Sequence, residues 1–484
     1  MRDRIRTKRL RRLAVALIAF AAVAIVGGVQ SPAQAAGSLP CDIYASAGTP
    51  CVAAHSTVRA LFSAYSGNLY QVKRASDSTT LNIGVVAAGS YANASAQDTF
   101  CANTICTITE IYDQTSNHNN LTIEGSGGAG AADWGANAAA LPITIGGHKA
   151  YGVYVSPRVG YRDDSTTAVA TGSQPEGEYM VASGTHVNSS CCFDYGNAET
   201  NNKDTGNGHM DAINFGTECW FSPCQGSGPW VQADEENGLF AGGNGAYSGN
   251  TGISNKNFVT AMLKNNGTSS YAIKGGNAQS GSLTTFYSGA LPTTSGYNPM
   301  HKEGAIVLGT GGDNSNGSVG SFFEGVMTSG YPSDATDNAV QTEIVAAGYG
   351  GSSNGATREI VGTGSSKCLD VPNQTHTDGT QLELYTCNGG SNQEWVYAGN
   401  KELVVYPANK CLDVSGQSTS PSAKVDMYTC NGGANQQWNL NSNGTITGVQ
   451  SGLCLDAKGA ATANGTLIEI YTCNGGSNQK WSLS

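Results

Sequence analysis

The sequence predicts an all-β protein in two parts: a large β-sandwich, then three short β units closed into a pseudo-threefold ring. Three observations carry this. The last quarter of the chain is one unit written three times. The region before it has no internal repeat and carries short β-rich runs separated by Gly and Asn clusters. The composition, 65 Gly and 13% charged residues in 484, suits many turns and few helices.

Taken in order, residues 1–36 read as a secretory signal peptide. Arg2 to Arg12 is basic, Leu13 to Val29 is apolar, and Ala33-Gln34-Ala35 is a small-residue cleavage site. Cleavage removes seven of 25 basic and one of 36 acidic residues, leaving a formal charge of −17. Such a chain lacks the basic footprint that nucleic acid or an anionic membrane requires, so neither is expected as a partner. The expected product is a secreted, extracellular monomer.

Residues 37–349 form the sandwich. Its strand candidates include Leu121-Thr-Ile, Leu141-Pro-Ile-Thr-Ile, Tyr151-Gly-Val-Tyr-Val, Phe258-Val-Thr-Ala-Met-Leu and Ala305-Ile-Val-Leu. Only Val52–Tyr65 and Asp337–Ala347 have helical periodicity. Residues 350–356 (GGSSNGA) read as a flexible linker, and residues 357–484 as the second domain.

All 14 cysteines follow the signal, an even count in an exported chain, so disulfides are the default. Close neighbours suggest Cys41 with Cys51, Cys101 with Cys106, Cys191 with Cys192 and Cys219 with Cys224. Within the repeats, Cys368 would join Cys387, Cys411 join Cys430, and Cys454 join Cys473. Sequence leaves other connectivities open. A bridge between the adjacent Cys191 and Cys192 would strain the intervening peptide, a feature associated with functional sites.

The repeats begin at Cys368, Cys411 and Cys454, a period of 43 residues. Each keeps Cys-Leu-Asp, Tyr-Thr-Cys-Asn-Gly-Gly and Asn-Gln-x-Trp. This pattern resembles the ricin-type β-trefoil lectins, carbohydrate-binding module family 13. The resemblance implies three sugar sites: Asp370, Glu383, Tyr385, Asn392 and Gln393; Asp413, Asp426, Tyr428, Asn435 and Gln436; and Asp456, Glu469, Tyr471, Asn478 and Gln479. Carboxylates and amides would bond hydroxyls while the tyrosine stacks on a pyranose face. Glu383, Asp426 and Glu469 stand where the lectin pattern often has Gln. Trp395, Trp438 and Trp481 are expected in the core.

The larger domain resembles glycoside hydrolase family 54, the secreted α-L-arabinofuranosidases. The match rests on Cys41-Asp-Ile-Tyr, Thr49-Pro-Cys-Val-Ala-Ala-His-Ser, Ser95-Ala-Gln-Asp-Thr-Phe-Cys-Ala-Asn, Cys191-Cys-Phe-Asp-Tyr-Gly-Asn-Ala-Glu-Thr, Gly309-Thr-Gly-Gly-Asp-Asn-Ser-Asn-Gly and Phe323-Glu-Gly-Val-Met-Thr-Ser-Gly-Tyr-Pro. It implies a retaining β-sandwich enzyme with Glu236 as nucleophile and Asp313 as general acid/base. Asp234, Asn237 and the Gly312 backbone would bond the arabinose hydroxyls. The Cys191–Cys192 disulfide would floor the site and Trp220 would wall it. An ionised nucleophile calls for donors around Glu236; an acid calls for a less solvated Asp313, or one facing another carboxylate.

The seven histidines show no metal spacing, no dinucleotide or phosphate-loop motif occurs, and no cofactor or metal is expected. The expected function is removal of terminal α-L-arabinofuranosyl residues from plant cell-wall arabinoxylan or arabinan. The lectin module would hold the polymer, which could include galactose-containing glycans. Two alternatives are β-D-galactofuranosidase or β-xylosidase activity on the same scaffold, and a non-catalytic lectin.

Overall fold

Two antiparallel sheets face one another in the first domain. The computed structural model describes residues 38–484 except 103, 246–248, 354, 356, 399–400 and 406–409, so the expected signal peptide lies outside the described residues. One sheet orders its strands Cys51–Ser56, Gly320–Ser329, Glu176–Ser183, Phe258–Asn265, Ser270–Asn277 and Thr284–Ala290, with Val153–Val155 also paired to Gly320–Ser329. The other runs Leu239–Phe240, Trp230–Asp234, Asp211–Gly216, Asp194–Ala198, Ala305–Leu308, Tyr161–Asp163, Leu121–Ile123, Cys106–Ile111, Asn68–Arg74 and Thr80–Gly84.

Met180, Ala182, Val259 and Ala261 of the first sheet share a core with Tyr195, Ile213, Val231 and Ile306 of the second. Strand Glu176–Ser183 is buried along its whole length. Side chains alternate across a strand, so Tyr179 and Val181 enter a second apolar cluster with Val340 and Ile344 of helix Asp334–Ala347. Ser333 caps that helix by accepting from Thr336 N, and Gly348 ends it at φ +74°.

Helix Asp334–Ala347 matches the periodicity read over Asp337–Ala347. The helix expected over Val52–Tyr65 does not form; Cys51–Ser56 is a strand paired with Gly320–Ser329. Ala53 and Ala54 enter the two different clusters, as a strand demands, and Asp113 Oδ1 accepts from Ala54 N at 2.8 Å. Two short α-helices that the sequence did not suggest, Pro40–Ser46 and Ala94–Phe100, also form. All seven disulfides join the close neighbours named above.

The second domain is a β-trefoil whose core holds Trp395, Trp438 and Trp481. Each indole Nε1 donates to the carbonyl of the Leu in its own Cys-Leu-Asp, Leu369, Leu412 or Leu455, at 2.9–3.1 Å. Residues 350–353, expected within a flexible linker, make specific contacts with the sandwich. Tyr349–Gly350 pairs with strand Pro142–Ile145, and Ser353 is buried, with its Oγ against Ser183 Oγ and its carbonyl accepting from Ser321 Oγ. Beyond it, Tyr154 Oη donates to Glu394 Oε2 at 3.1 Å and Val396 joins the second sandwich cluster. The trefoil is docked on the sandwich, not tethered to it.

Candidate active site

Three strands of the second sheet deliver the site: the adjacent pair Asp194–Ala198 and Ala305–Leu308, and Trp230–Asp234 across the intervening Asp211–Gly216. Strand Trp230–Asp234 turns through Glu235–Gly238 into Leu239–Phe240, with Asp234 opposite Leu239. Within this turn Glu236 and Asn237 both lie in the left-handed region, at φ +59° and +55°. Such conformations cost non-glycine residues about 1 kcal/mol or more and persist here because the surroundings hold them. Tyr297 Oη donates to Glu236 O at 2.8 Å, and Asp234 Oδ1 accepts from Glu236 N at 3.1 Å.

Strand Ala305–Leu308 leads into the glycine-rich loop. Gly311 has little room beside Cys192, whose Sγ would lie 3.3 Å from an added Cβ. Asp313 Oδ1 accepts from Ser315 N at 3.0 Å and Ser315 Oγ at 2.6 Å. The strand Asp194–Ala198 is preceded by the double cysteine, which the loop clasps: Cys192 N donates to Ser315 O and Gly317 N to Cys191 O.

These elements line an open cleft of about 160 Å³. Every residue named for the catalytic site lines it: Cys191, Cys192, Trp220, Asp234, Glu236, Asn237, Gly312 and Asp313. Trp220 stands 49% exposed at the edge. The sequence reading missed Asp204, Leu239 and Ser315, which also line it, and Arg162 behind it. Asp204 Oδ1 accepts from Asn237 Nδ2 at 3.1 Å. Arg162 Nη1 donates to Gly312 O at 2.8 Å and Nη2 donates to Glu199 O, so one guanidinium ties two walls together. Neither Arg162 nor Asp204 sits in a motif that could have marked it.

The electrostatics reverse one expectation. Donors gather on Asp313, whereas Glu236 faces the carboxyls of Asp234 and Glu199. Burial, then Asp234, then Glu199 push the Glu236 carboxyl up to about 11. Burial also raises Asp194 to about 8, against the pull of a 2.7 Å hydrogen bond from Asn214 Nδ2. Asp234 is raised by burial and by Asp194, and Glu199 chiefly by burial. Burial and mutual repulsion thus favour the protonated forms of these carboxyls.

In the trefoil, Tyr385, Tyr428 and Tyr471 are 40–43% exposed, open to a planar partner. Gln393, Gln436 and Gln479 correct the reading that made them sugar contacts. They are fully buried, each donating Nε2 to the repeat's Asp and accepting a backbone N–H on Oε1. Asn392, Asn435 and Asn478 donate to the same carboxylate oxygen. The amides hold Asp370, Asp413 and Asp456 in place. Asp426 and Glu469 pair with Lys424 and Lys458, at 3.1 and 3.5 Å, while Glu383 in the first repeat is half-buried with no ion pair among the described residues.

The family profile for the α-L-arabinofuranosidase B catalytic domain matches residues 40–350, and that for the ricin-type β-trefoil lectin domain residues 356–481. α-L-Arabinofuranosidase of Hypocrea jecorina is 59% identical over 325 residues, 65% of this chain and 64% of that protein. The arabinofuranosidase/B-xylosidase of Trichoderma koningii gives the same figures. α-L-Arabinofuranosidase B of Aspergillus oryzae is 55% identical over 333 residues, 68% of this chain and 66% of that one. The matched region thus spans 64–66% of these relatives' lengths. A solved GH54 α-L-arabinofuranosidase soaked with a cyclic sulfate inhibitor shares 39% identity and a TM-score of 0.65, over 92% of this chain and 99% of that one. An arabinofuranosidase complexed with arabinofuranosyl-α-1,2-xylobiose aligns at 40% identity and TM-score 0.65, over 92% and 98%. The chain belongs to the α-L-arabinofuranosidase B family, glycoside hydrolase family 54, and carries a ricin-type β-trefoil domain after its catalytic domain.

Proposed function

We propose that the protein is an exported, retaining α-L-arabinofuranosidase that trims arabinofuranosyl side chains from a polysaccharide held by its trefoil. The observation that carries this reading is the shared cleft. Glu236 and Asp313 come from different strands and meet in one pocket above the Cys191–Cys192 disulfide.

In the first step a Glu236 carboxylate oxygen attacks the anomeric carbon. The glycosidic C–O bond breaks and Asp313 gives its proton to the departing oxygen. Asp313 Oδ1 is already bound by both Ser315 donors, which leaves Oδ2 to carry that proton. In the second step Asp313 takes a proton from water, the water oxygen bonds the anomeric carbon, and the ester to Glu236 breaks. Two inversions give net retention. Asp234, Asn237 and the Gly312 backbone hold the sugar hydroxyls, and the disulfide offers an apolar floor.

Release of free arabinose from arabinoxylan and from an aryl α-L-arabinofuranoside tests this, with Glu236→Gln and Asp313→Asn as controls. Folded wild-type protein that binds xylan without releasing sugar would refute it. The relative named arabinofuranosidase/B-xylosidase favours one second reading, β-xylosidase activity in the same cleft. Side-by-side rates on aryl β-xyloside and aryl α-arabinofuranoside decide between them.

Targeting is best tested by point changes. Truncation at the linker would uncover Tyr154 and the sandwich surface under Val396. Replacing Tyr385, Tyr428 and Tyr471 with Ala should weaken retention on insoluble arabinoxylan and leave soluble-substrate turnover unchanged. Equal loss on both substrates would refute targeting.

A further inference from the structure

Glu199 follows strand Asp194–Ala198 and is fully buried. Neither of its carboxyl oxygens receives a hydrogen bond from an N–H or O–H among the described residues. A buried carboxyl without donors is costly, and the side chain best placed to relieve this one is another carboxyl, that of Glu236. Carboxyl oxygens of Glu199, Asp204 and Glu236 lie within 4.8 Å of one another. Asp204 is exposed and engaged by Asn237, whereas Glu236 is buried and lines the cleft beside Glu199. Two such carboxyls are satisfied together by one proton held between them.

The surroundings fix Glu199 for that role. A Cβ on Gly312 would collide with its Oε2, so the glycine beside Asp313 leaves the space that the carboxyl fills. Arg162 holds the Glu199 carbonyl from behind and the Gly312 carbonyl with its other nitrogen. The charged groups facing Glu199 are Glu236 and Asp204 in the cleft, Asp234 beside them, Arg162 behind, and Glu303. The single cation among them spends its hydrogen bonds on backbone carbonyls and on other carboxylates.

We propose that Glu199 is a positioning residue for the nucleophile: it keeps the proton shared with Glu236 and donates it as a hydrogen bond to the attacking carboxylate. This rests on Glu236 being the nucleophile. The proton stays on Glu199 through both chemical steps, while the proton exchanged with leaving group and water travels through Asp313. It also resolves the reversed electrostatics, because Glu236 becomes ionised when its neighbour takes the proton.

The test is the pH profile of kcat/KM on a soluble aryl α-L-arabinofuranoside for wild type, Glu199→Gln and Glu199→Ala, each checked for folding. Without the donor, Glu236 must keep the proton itself. Glu199→Ala should therefore move the acid limb up by about one pH unit, while Glu199→Gln, which retains an N–H donor, should hold it within about half a unit. If Glu199→Ala fails to fold, Glu199→Asp withdraws the carboxyl and should move the limb in the same direction. An acid limb that stays at the wild-type position in the Ala or Asp variant would overturn the proposal, even if kcat fell at every pH, since that is what a purely structural role predicts. Failure of the parent reading looks different: Glu236→Gln would then retain wild-type activity.

Discussion

Glu236 stands in a setting that opposes its own ionisation, and Asp313 in one that supplies donors. Two residue-scale predictions follow from the division of labour proposed for them. Glu236→Gln should lower kcat by about 10³-fold or more on every substrate, because no covalent intermediate can form. Asp313→Asn should cost roughly 10²–10⁴-fold on arabinoxylan and much less on an aryl glycoside with a good leaving group, which needs little protonation. Steady-state rates on the two substrates check both; equal losses for Asp313→Asn would remove it as the acid. A third concerns Gly312. Alanine there drives a methyl into Glu199 Oε2 and should reduce kcat by roughly 10²-fold. The assignment of Glu236 and Asp313 rests on resemblance, since by themselves Asp-Glu-Glu-Asn reads better as a solvated turn and Gly-Gly-Asp-Asn-Ser-Asn-Gly as a structural or calcium-binding loop. Glu199 was quoted within the Cys191 motif without a role. Its chemistry comes from a partner 37 positions further along, which no local pattern reveals.

At the scale of elements, the alternation of β runs was legible where one face meets the core. The Val52–Tyr65 error has a physical origin: Val-Ala-Ala-His has small apolar residues in succession, and both faces of that edge strand are covered, one by each cluster. A doubly buried strand carries no period of two, so it mimics a helix segment. The trefoil was legible because its repeats state the same packing three times. The glutamines were misread because a buried residue that holds a neighbouring carboxylate in place recurs in every repeat as faithfully as a surface contact would. Arg162 links elements that sequence keeps apart, and it pairs with Asp164 and with Glu124 at 3.4 Å. Arg162→Met should cost about 1–3 kcal/mol of stability by leaving buried Glu124 and the Glu199 and Gly312 carbonyls without their donor, and should lower kcat by loosening Glu199 and Gly312 together. Denaturant unfolding and steady-state kinetics on the folded fraction measure the two effects.

At the scale of the molecule, the many buried carboxyls set a pH dependence of stability. Glu124, Glu176 and Asp194 are pushed up to about 8, and Asp133 and Glu394 to about 7, burial being the largest cause in each. Folded protein therefore binds more protons than unfolded protein from the ordinary carboxylate range up to these values, and stability falls as pH rises through them. His55 and His186 act in the opposite sense, since burial keeps both neutral, but only below their ordinary range of about 6.5. Glu303 and Asp334, both lowered to about 2, matter only at more acidic pH. Calorimetry should show Tm falling between about pH 6.5 and 8.5. Glu394→Gln at the domain junction should flatten that fall by removing one contributor; a rising Tm would contradict the assignment.

The proposed retaining reaction requires Glu236 to form a covalent bond to the sugar. The most direct measurement is mass spectrometry of Asp313→Asn protein quenched during turnover of an activated aryl α-L-arabinofuranoside, where loss of the base should let the intermediate accumulate. One pentosyl group esterified to Glu236 is the predicted result. A pentosyl group on Asp234 or another carboxylate would contradict the account.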